Sequence, residues 1–590
     1  MPADAAPAAA AAPDAAPGSA ASADELAAAP EAVQMTDEEE LSAAGGGDNS
    51  DSSKLKTLMG ILKRMVGVKD IAAIRLSLPA NLLEPVPNLE YWNYLDRGDL
   101  FTTIAESEDP LDRMLAALRF TFTKELKFVH GKICKPYNSI LGEHFRCHWD
   151  VEPPALTEEG DLLPRMALRA AAAPVEAPAR TSARTSAEGA VPPSSAASSA
   201  GKLSRPGSVR GVSTASAATT TSTSTTEDVA HKAKKGLSKL LGRSHRSGGG
   251  DAGSAAATPA ATPADEDEFD DAASQAGSFK TTHSEAEALP QLEAGKRRIT
   301  FLTEQVSHHP PISSFFVECK QAGVQLCGVD QLSAKFTGTA VRIFSGEQNQ
   351  GIFVKLLENA RGGPAGEEYQ ITHPTASVNG LLRGSLWVAI CDTTSITCRG
   401  GRREGEEAEG QGPRLRTLVE YKDESWVMKA KYALEAVVYE YDESKGQAAE
   451  EYKRIRDVPQ DRVVATLEGT WKGAITWKRK GDKDARLLID LDELEPSKCV
   501  VRPLKAQQEM ESRKIWEPVT NAIIAKDYSG ATKAKQDIEQ KQRDTAAERK
   551  RKDESFVPVF FDADISDGRP RLTAEGRKAL DGEGMLDGYE

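Results

Sequence analysis

The chain is poor in the groups from which metal sites and many enzymes are built. Its cysteines, at positions 134, 147, 319, 327, 391, 398 and 499, are scattered and form no CxxC pair. Neither a zinc site nor a disulfide framework is expected from them; reduced thiols in a cytosolic protein fit better. Histidine is thin, nine in 590 residues, with no HExxH run, and no nucleophile elbow of the GxSxG kind stands out. Apolar runs are short. None reaches the roughly 18 residues that span a bilayer, and no basic region followed by an apolar one marks a signal peptide. A formal charge of −15 and a pI near 5.3 argue against a general nucleic-acid binder, though a local basic site remains compatible with them.

Two stretches also lack hydrophobic periodicity. Residues 1–53 and 154–291 are rich in Ala, Ser, Thr, Pro and Gly, as in "STASAATTTSTSTTED". Such sequence buries too little apolar surface to offset the entropy of ordering it, so both are expected to be disordered.

What remains has clear patterns. Residues 54–67, "KLKTLMGILKRMVG", place Leu55, Leu58, Ile61, Leu62 and Met65 at helical spacing, with basic side chains on other faces. This fits a surface helix, a mobile lid or a membrane-touching helix. "DPLDRMLAALRFTFTKELKF" repeats Leu111, Met114, Leu115, Leu118 and Phe122 at the same spacing. From 299 to about 480 short alternating segments such as "LEGTWKGAITW" and "AKYALEAVVYEY" predict a meandering antiparallel sheet, closing towards a barrel. The charged stretch 505–552 reads as helical. "GEHFRCHWDV" and "RRITFLTEQVSHHPP" both look like core strands, yet the low-complexity tract separates them. Long loops cost little in closure entropy, so residues 54–153 and 292–565 are expected to form one interrupted domain, with 566–590 as a tail.

Three clusters carry candidate chemistry. "EQVSHHPPI" sets His308 beside His309. By itself the pair leaves open metal binding, acid–base chemistry, an anion cradle and a packed turn; beside a phosphate both imidazoles would become better cations. "KPYN" supplies Lys135 and Asn138. "KQDIEQKQR" spaces Lys535, Glu539 and Arg543 at i, i+4 and i+8, either an exposed salt-bridged helix or a clamp in which Glu539 orients two cations.

Together these motifs resemble the oxysterol-binding protein-related family of lipid-transfer proteins. The resemblance rests on "EQVSHHPPI", "KPYNSILGE", "ESRKIWEPV" and the helix bearing Lys535, in the family's order over about 54–153 and 291–565. It implies a mainly β fold with α: an incomplete antiparallel β-barrel around a hydrophobic tunnel, an N-terminal amphipathic lid and C-terminal helices. It implies that Lys135, Asn138, His308, His309, Lys535, Glu539 and Arg543 hold phosphatidylinositol 4-phosphate at the tunnel mouth. The lid and tunnel residues would then be Leu55, Leu58, Ile61, Leu62 and Met65. The expected role is exchange of that lipid for another between membranes, without covalent chemistry, cofactor or metal. Stretches such as "HPTASVNGLLRG" look most like the fungal phosphatidylserine-type subgroup. A sterol exchanger, or a lipid sensor or adaptor with the same pocket, is the alternative. The implied place is cytoplasmic, peripheral at the endoplasmic reticulum and plasma membrane or other contacts.

Two short elements of the insertion stand out. "HKAKKGLSKLLGRSHR" is basic and suits an anionic membrane surface. "DEDEFDDAAS" resembles the acidic tract by which family members bind an endoplasmic-reticulum receptor, through Glu268, Phe269 and Asp271. Asp270 stands where that tract has its second aromatic, and the bland reading is a solvated acidic run.

Overall fold

A computed structural model describes residues 59–60, 83–130, 135–155, 157, 292, 295–381, 386–401, 414–424, 431–445 and 452–584. The chain divides into two compact units, residues 1–175 with 284–590, and residues 176–283; the second lies wholly outside the described residues. The lid residues Leu55, Leu58, Ile61, Leu62 and Met65, and the acidic tract Glu268, Phe269 and Asp271, also lie outside them.

The strands are β1 His144–Val151, β2 Arg297–His308, β3 Pro311–Cys319, β4 Val324–Asp330, β5 Leu332–Phe336, β6 Val341–Ser345, β7 Ile352–Leu356 and β8 Glu367–Ile371. They continue as β9 Thr375–Asn379, β10 Trp387–Cys391, β11 Thr393–Gly400, β12 Arg414–Tyr421, β13 Ala433–Tyr441, β14 Val463–Thr470, β15 Ala474–Arg479 and β16 Arg486–Asp490. Twelve of them make one antiparallel sheet in the order β1-β2-β3-β4-β7-β8-β11-β12-β13-β14-β15-β16, and β10-β9-β6-β5 make a smaller one. Alternating apolar residues account for strands such as β14, which bury one face, whereas β1, β2 and β3 are buried on both. "LEGTWKGAITW" is a hairpin of two strands: Leu467 faces Trp477 and Gly469 faces Ile475 across the turn.

The large sheet curls around a helix, α1 Pro110–Thr123. Asp109 caps it, accepting from the amides of Leu111 and Asp112 at 2.6 and 3.2 Å, and Pro110 begins it. Every residue of α1 except Pro110 and Asp112 is buried. A helix buried all round must be enclosed: Leu111 and Phe120 share one core cluster with Phe145 and Phe301 of the first strands and with Trp477 and Leu488 of the last. Both margins of the sheet therefore pack about the same helix, yet β1 and β16 are not hydrogen-bonded neighbours in the sheet. The result is the incomplete antiparallel barrel. Arg113 of α1 is carried into this core by a two-bond pair with Glu367, at 2.7 and 2.9 Å, to which Tyr369 also donates at 2.6 Å.

β1 and β2 pair in register, from His144 opposite Glu304 to Val151 opposite Arg297, across everything between residues 151 and 297. The stretch expected to be helical from 505 to 552 begins later and is two helices, α2 Ser512–Ile524 and α3 Tyr528–Lys552. They part at Lys526, whose φ of 59° ends α2, and Asp527 caps α3 by accepting from the amide of Gly530. The C-terminal residues 566–590 contain a further helix, α4 Ala574–Gly584. It packs on β1 and β2. Ala579 and Leu580 join Leu302, Phe316, Phe560 and Phe561, so β2 is covered on both faces. Glu583 of α4 is buried against His148 at 2.8 Å and Arg502 at 2.6 Å.

Candidate functional site

The motif-bearing elements converge through one buried carboxylate. Glu143 follows the "KPYN" loop, and its side chain accepts from the amide of Ile140 at 3.0 Å, the hydroxyl of Ser512 at 2.7 Å and the indole of Trp516 at 3.0 Å. Its backbone oxygen accepts from the amide of Gln305 at 2.8 Å, while the amide of Gly142 donates to Gln305 O at 2.9 Å. The loop is thereby fixed to β2 three residues before His308, and α2 to both. Burial pushes the Glu143 carboxyl up to about 7, against the opposing pull of its three donors.

The motif "ESRKIWEPV" proves to be scaffold. Glu511 takes Arg146 of β1 at 2.9 and 3.3 Å, Ser512 and Trp516 take Glu143, and Arg513 takes Glu90 at 2.9 Å through its Nε. Val519 and Trp516 then join Tyr137, Ile140 and Ala531 in a second apolar cluster, with Ala534 and Ile538 against it. That cluster seats α3 on the loop. Glu304 stiffens the far side by accepting from the amides of Val559 and Phe560, both at 2.8 Å. Its carboxyl is raised by burial despite those bonds. His144 is the opposite case: burial pushes its imidazole down to about 4.

On this frame the expected ligand residues stand as local pairs. The Lys135 ammonium donates to Asn138 Oδ1 at 2.6 Å and to Pro136 O at 3.1 Å. The rings of His308 and His309 lie 4.4 Å apart, tilted by 54°, with His309 exposed. Lys535 pairs with Glu539 at 3.2 Å; its side chain is 6% exposed and that of Glu539 25%. Arg543, one turn further along α3, is exposed and donates through Nε to Gln540 Oε1 at 3.0 Å. Exposure thus rises steadily along the Lys535, Glu539, Arg543 face, which emerges from the core at an angle. A solvent-facing helix ion pair would have both ends wet. Lys535 is instead buried, and Lys before Glu is the less favourable order for helix stability. Helix propensity does not explain the pair.

A second polar group has no motif to announce it. Tyr94 donates to Asp330 at 2.6 Å, its ring lies 5.4 Å from that of His373, and the Lys124 ammonium sits 5.4 Å from its centroid. Lys124 also reaches Glu125 at 2.8 Å. Burial raises Asp330 to about 7 and lowers His373 to about 3. These groups come from the segment before α1, the residues that end it, the last residue of β4 and the connection after β8, too far apart in sequence for any spacing to reveal them. Among the described residues no cluster of His, Cys, Asp and Glu is arranged to hold a metal ion. No described helix is long and apolar enough to cross a membrane.

Comparison with known proteins agrees with the motifs. The family model described as Oxysterol-binding protein matches residues 57–159 and 279–523; α3 lies beyond the matched span. Oxysterol-binding protein-like protein 1 of Schizosaccharomyces pombe is 37% identical over 539 residues, 91% of this chain and 92% of that protein. Oxysterol-binding protein homolog 7 of Saccharomyces cerevisiae is 27% identical over 271 residues, 45% of this chain and 53% of that protein. Among solved structures, the crystal structure of the Osh1 ORD domain in complex with ergosterol is similar at 15% identity and a TM-score of 0.48, covering 89% of this chain and 88% of that chain. On the family match and the near full-length likeness to the Schizosaccharomyces pombe protein, this chain belongs to the oxysterol-binding protein family.

Proposed function

We propose that the chain extracts phosphatidylinositol 4-phosphate from one membrane and exchanges it for a second lipid, phosphatidylserine, at another, working peripherally where two membranes come close. The single observation that carries this reading is the buried Lys535 ammonium paired with Glu539. It sits on a helix seated against the "KPYN" loop, which is itself bonded to the strand leading to His308 and His309. Five cationic or ring N–H donors, Lys135, His308, His309, Lys535 and Arg543, are thus carried by elements locked to one another. Phosphate groups are the anions such donors suit.

The physical demand is clear. Exposing two acyl chains of about sixteen carbons to water costs roughly 25 kcal/mol, at about 0.8 kcal/mol per CH2, so a carrier must enclose them. On this reading the acyl chains lie within the curled sheet, alongside its core. The headgroup stays at the rim, where the donors are.

The test is extraction of fluorescent phosphatidylinositol 4-phosphate from liposomes by the purified full chain, with and without the pair His308→Ala and His309→Ala. The double variant should extract at background level while melting as the parent does. Undiminished extraction would sink the site. Competition separates the second lipids: phosphatidylserine liposomes should displace the bound phosphoinositide, whereas displacement by sterol liposomes alone would favour a sterol exchanger. Binding without transfer would mark a sensor.

A further inference from the structure

Past the end of α3 the chain turns back over the frame of the headgroup site. Asp553, at φ 57°, closes the helix, and the amide of Glu554 donates to Arg549 O at 3.0 Å. Residues 556–560 then alternate in burial: Phe556 is half-buried, Pro558 and Phe560 are buried, and Val557 and Val559 are exposed. The inward side is fixed. Gly142 of the loop after "KPYN", at φ 81°, leaves room for the ring of Phe556, which would stand 3.3 Å from a β-carbon there. The amides of Val559 and Phe560 both donate to Glu304 at 2.8 Å, and the Thr573 hydroxyl donates to Val559 O at 2.6 Å. Phe560 joins Leu302, Phe316 and Phe561 in the core. Glu304 stands four residues before His308 on β2, about 13 Å of strand.

The outward side is apolar. Val557 is 73% exposed and Val559 53%, the two highest values among the exposed large hydrophobic side chains described. An isolated exposed valine is ordinary. Two at alternate positions, held from beneath and close to the donors, make a fixed apolar ridge. Its neighbours in sequence are charged: Arg549, Lys550, Arg551 and Lys552, with Glu548, Asp553 and Glu554 among them. Lys552 pairs with Glu548 at 2.9 Å, so the remaining balance is only weakly positive. A stable protein interface buries on the order of 800 Å² per partner, far more than two valine side chains supply. A bilayer accepts a small ridge of this kind, because headgroups solvate the charged rim while the acyl boundary takes the apolar tips.

We propose that Val557 and Val559 form a wedge that enters the interface of the bilayer from which lipid is drawn, setting the headgroup donors against its surface. The inference rests on the lipid-exchange reading for the nature of that surface. With so small a charge balance, apolar burial leads, and binding depends more on the valines than on salt.

The experiment floats the full chain with vesicles of phosphatidylcholine and phosphatidylserine that contain no phosphoinositide. Substituting Val557→Ser and Val559→Ser together should lower vesicle partition about tenfold while the protein melts as the parent does. Val557→Leu with Val559→Leu enlarges the ridge and should float at least as well as the parent. A parent that does not float, or a serine pair that floats as the parent does, overturns the proposal. So does a leucine pair that floats less well than the parent. Binding of dioctanoyl phosphatidylinositol 4-phosphate, which dissolves without a membrane, is measured in parallel and should be equal in all three proteins. A serine pair that loses this binding as well as flotation also overturns the wedge, since the valines then act through the frame of the site. A parent that floats, with flotation lost in the serine pair, but does not bind the short-chain lipid would remove the exchange reading and uphold the wedge.

Discussion

Replacing Glu143 by glutamine tests whether the buried junction works as the structure indicates. The native carboxyl titrates near 7, raised by burial from about 4.5. Between these values the folded protein holds a proton that the unfolded chain has lost. Stability from this group is therefore complete below about 4.5 and is lost as pH rises through about 7. A shift of this size is worth about 3 kcal/mol. Glutamine cannot ionise, keeps one oxygen for the amide of Ile140 and the indole of Trp516, and presents an amide to the Ser512 hydroxyl, which can turn to accept. Glu143→Gln should then match the parent near pH 4 and exceed it by about 3 kcal/mol at pH 8. Asp330, also raised by burial, contributes equally to both proteins and cancels. Glu143→Ala instead orphans the amide of Ile140 and the indole of Trp516, at about 1–3 kcal/mol each, and leaves Ser512 only its long bond to His144 O; it should be destabilised at both pH values. Urea unfolding followed by tryptophan fluorescence, with Trp516 beside the mutated group, measures all of this. Parallel stability–pH curves for parent and Glu143→Gln would refute the reasoning.

Two further substitutions separate stability from ligand capture. Arg113→Ala removes both short bonds to the buried Glu367, leaving it the Tyr369 hydroxyl and the more distant Arg414 at 3.8 Å, and should lower unfolding free energy by about 3 kcal/mol in the same urea assay. Arg543→Ala removes an exposed cation whose one described bond is to Gln540; its stability should stay within about 0.5 kcal/mol of the parent while liposome extraction of phosphatidylinositol 4-phosphate falls.

Much of the architecture was legible because it is written in local periods. Leu111, Met114, Leu115, Leu118 and Phe122 mark α1, and alternation marks the hairpin of Leu467 and Trp477. The pairing of β1 with β2 was readable because both flanks of the insertion carry core-strand patterns. The frame of the site was not legible. Glu143 reads only as one carboxylate after a glycine, and its partners Ser512 and Trp516 lie more than 350 residues on. The same holds for Glu583, whose burial against His148 and Arg502 turns an acidic, glycine-punctuated tail into a packed helix. Tyr94, Asp330 and His373 meet only because the sheet curls. Spacing reports neighbours along one element, whereas these groups are neighbours across a closed surface.

The register of β1 against β2 makes the insertion a side branch from a hairpin. Val151 faces Arg297 across a ladder spacing of about 5 Å, so the chain leaves and returns at what is mechanically a single point. A pull applied through residues 151 and 297 would load one end of one strand pair, and the ladder would open from that end. His308 stands at the opposite end of β2, the full length of the strand away from that point.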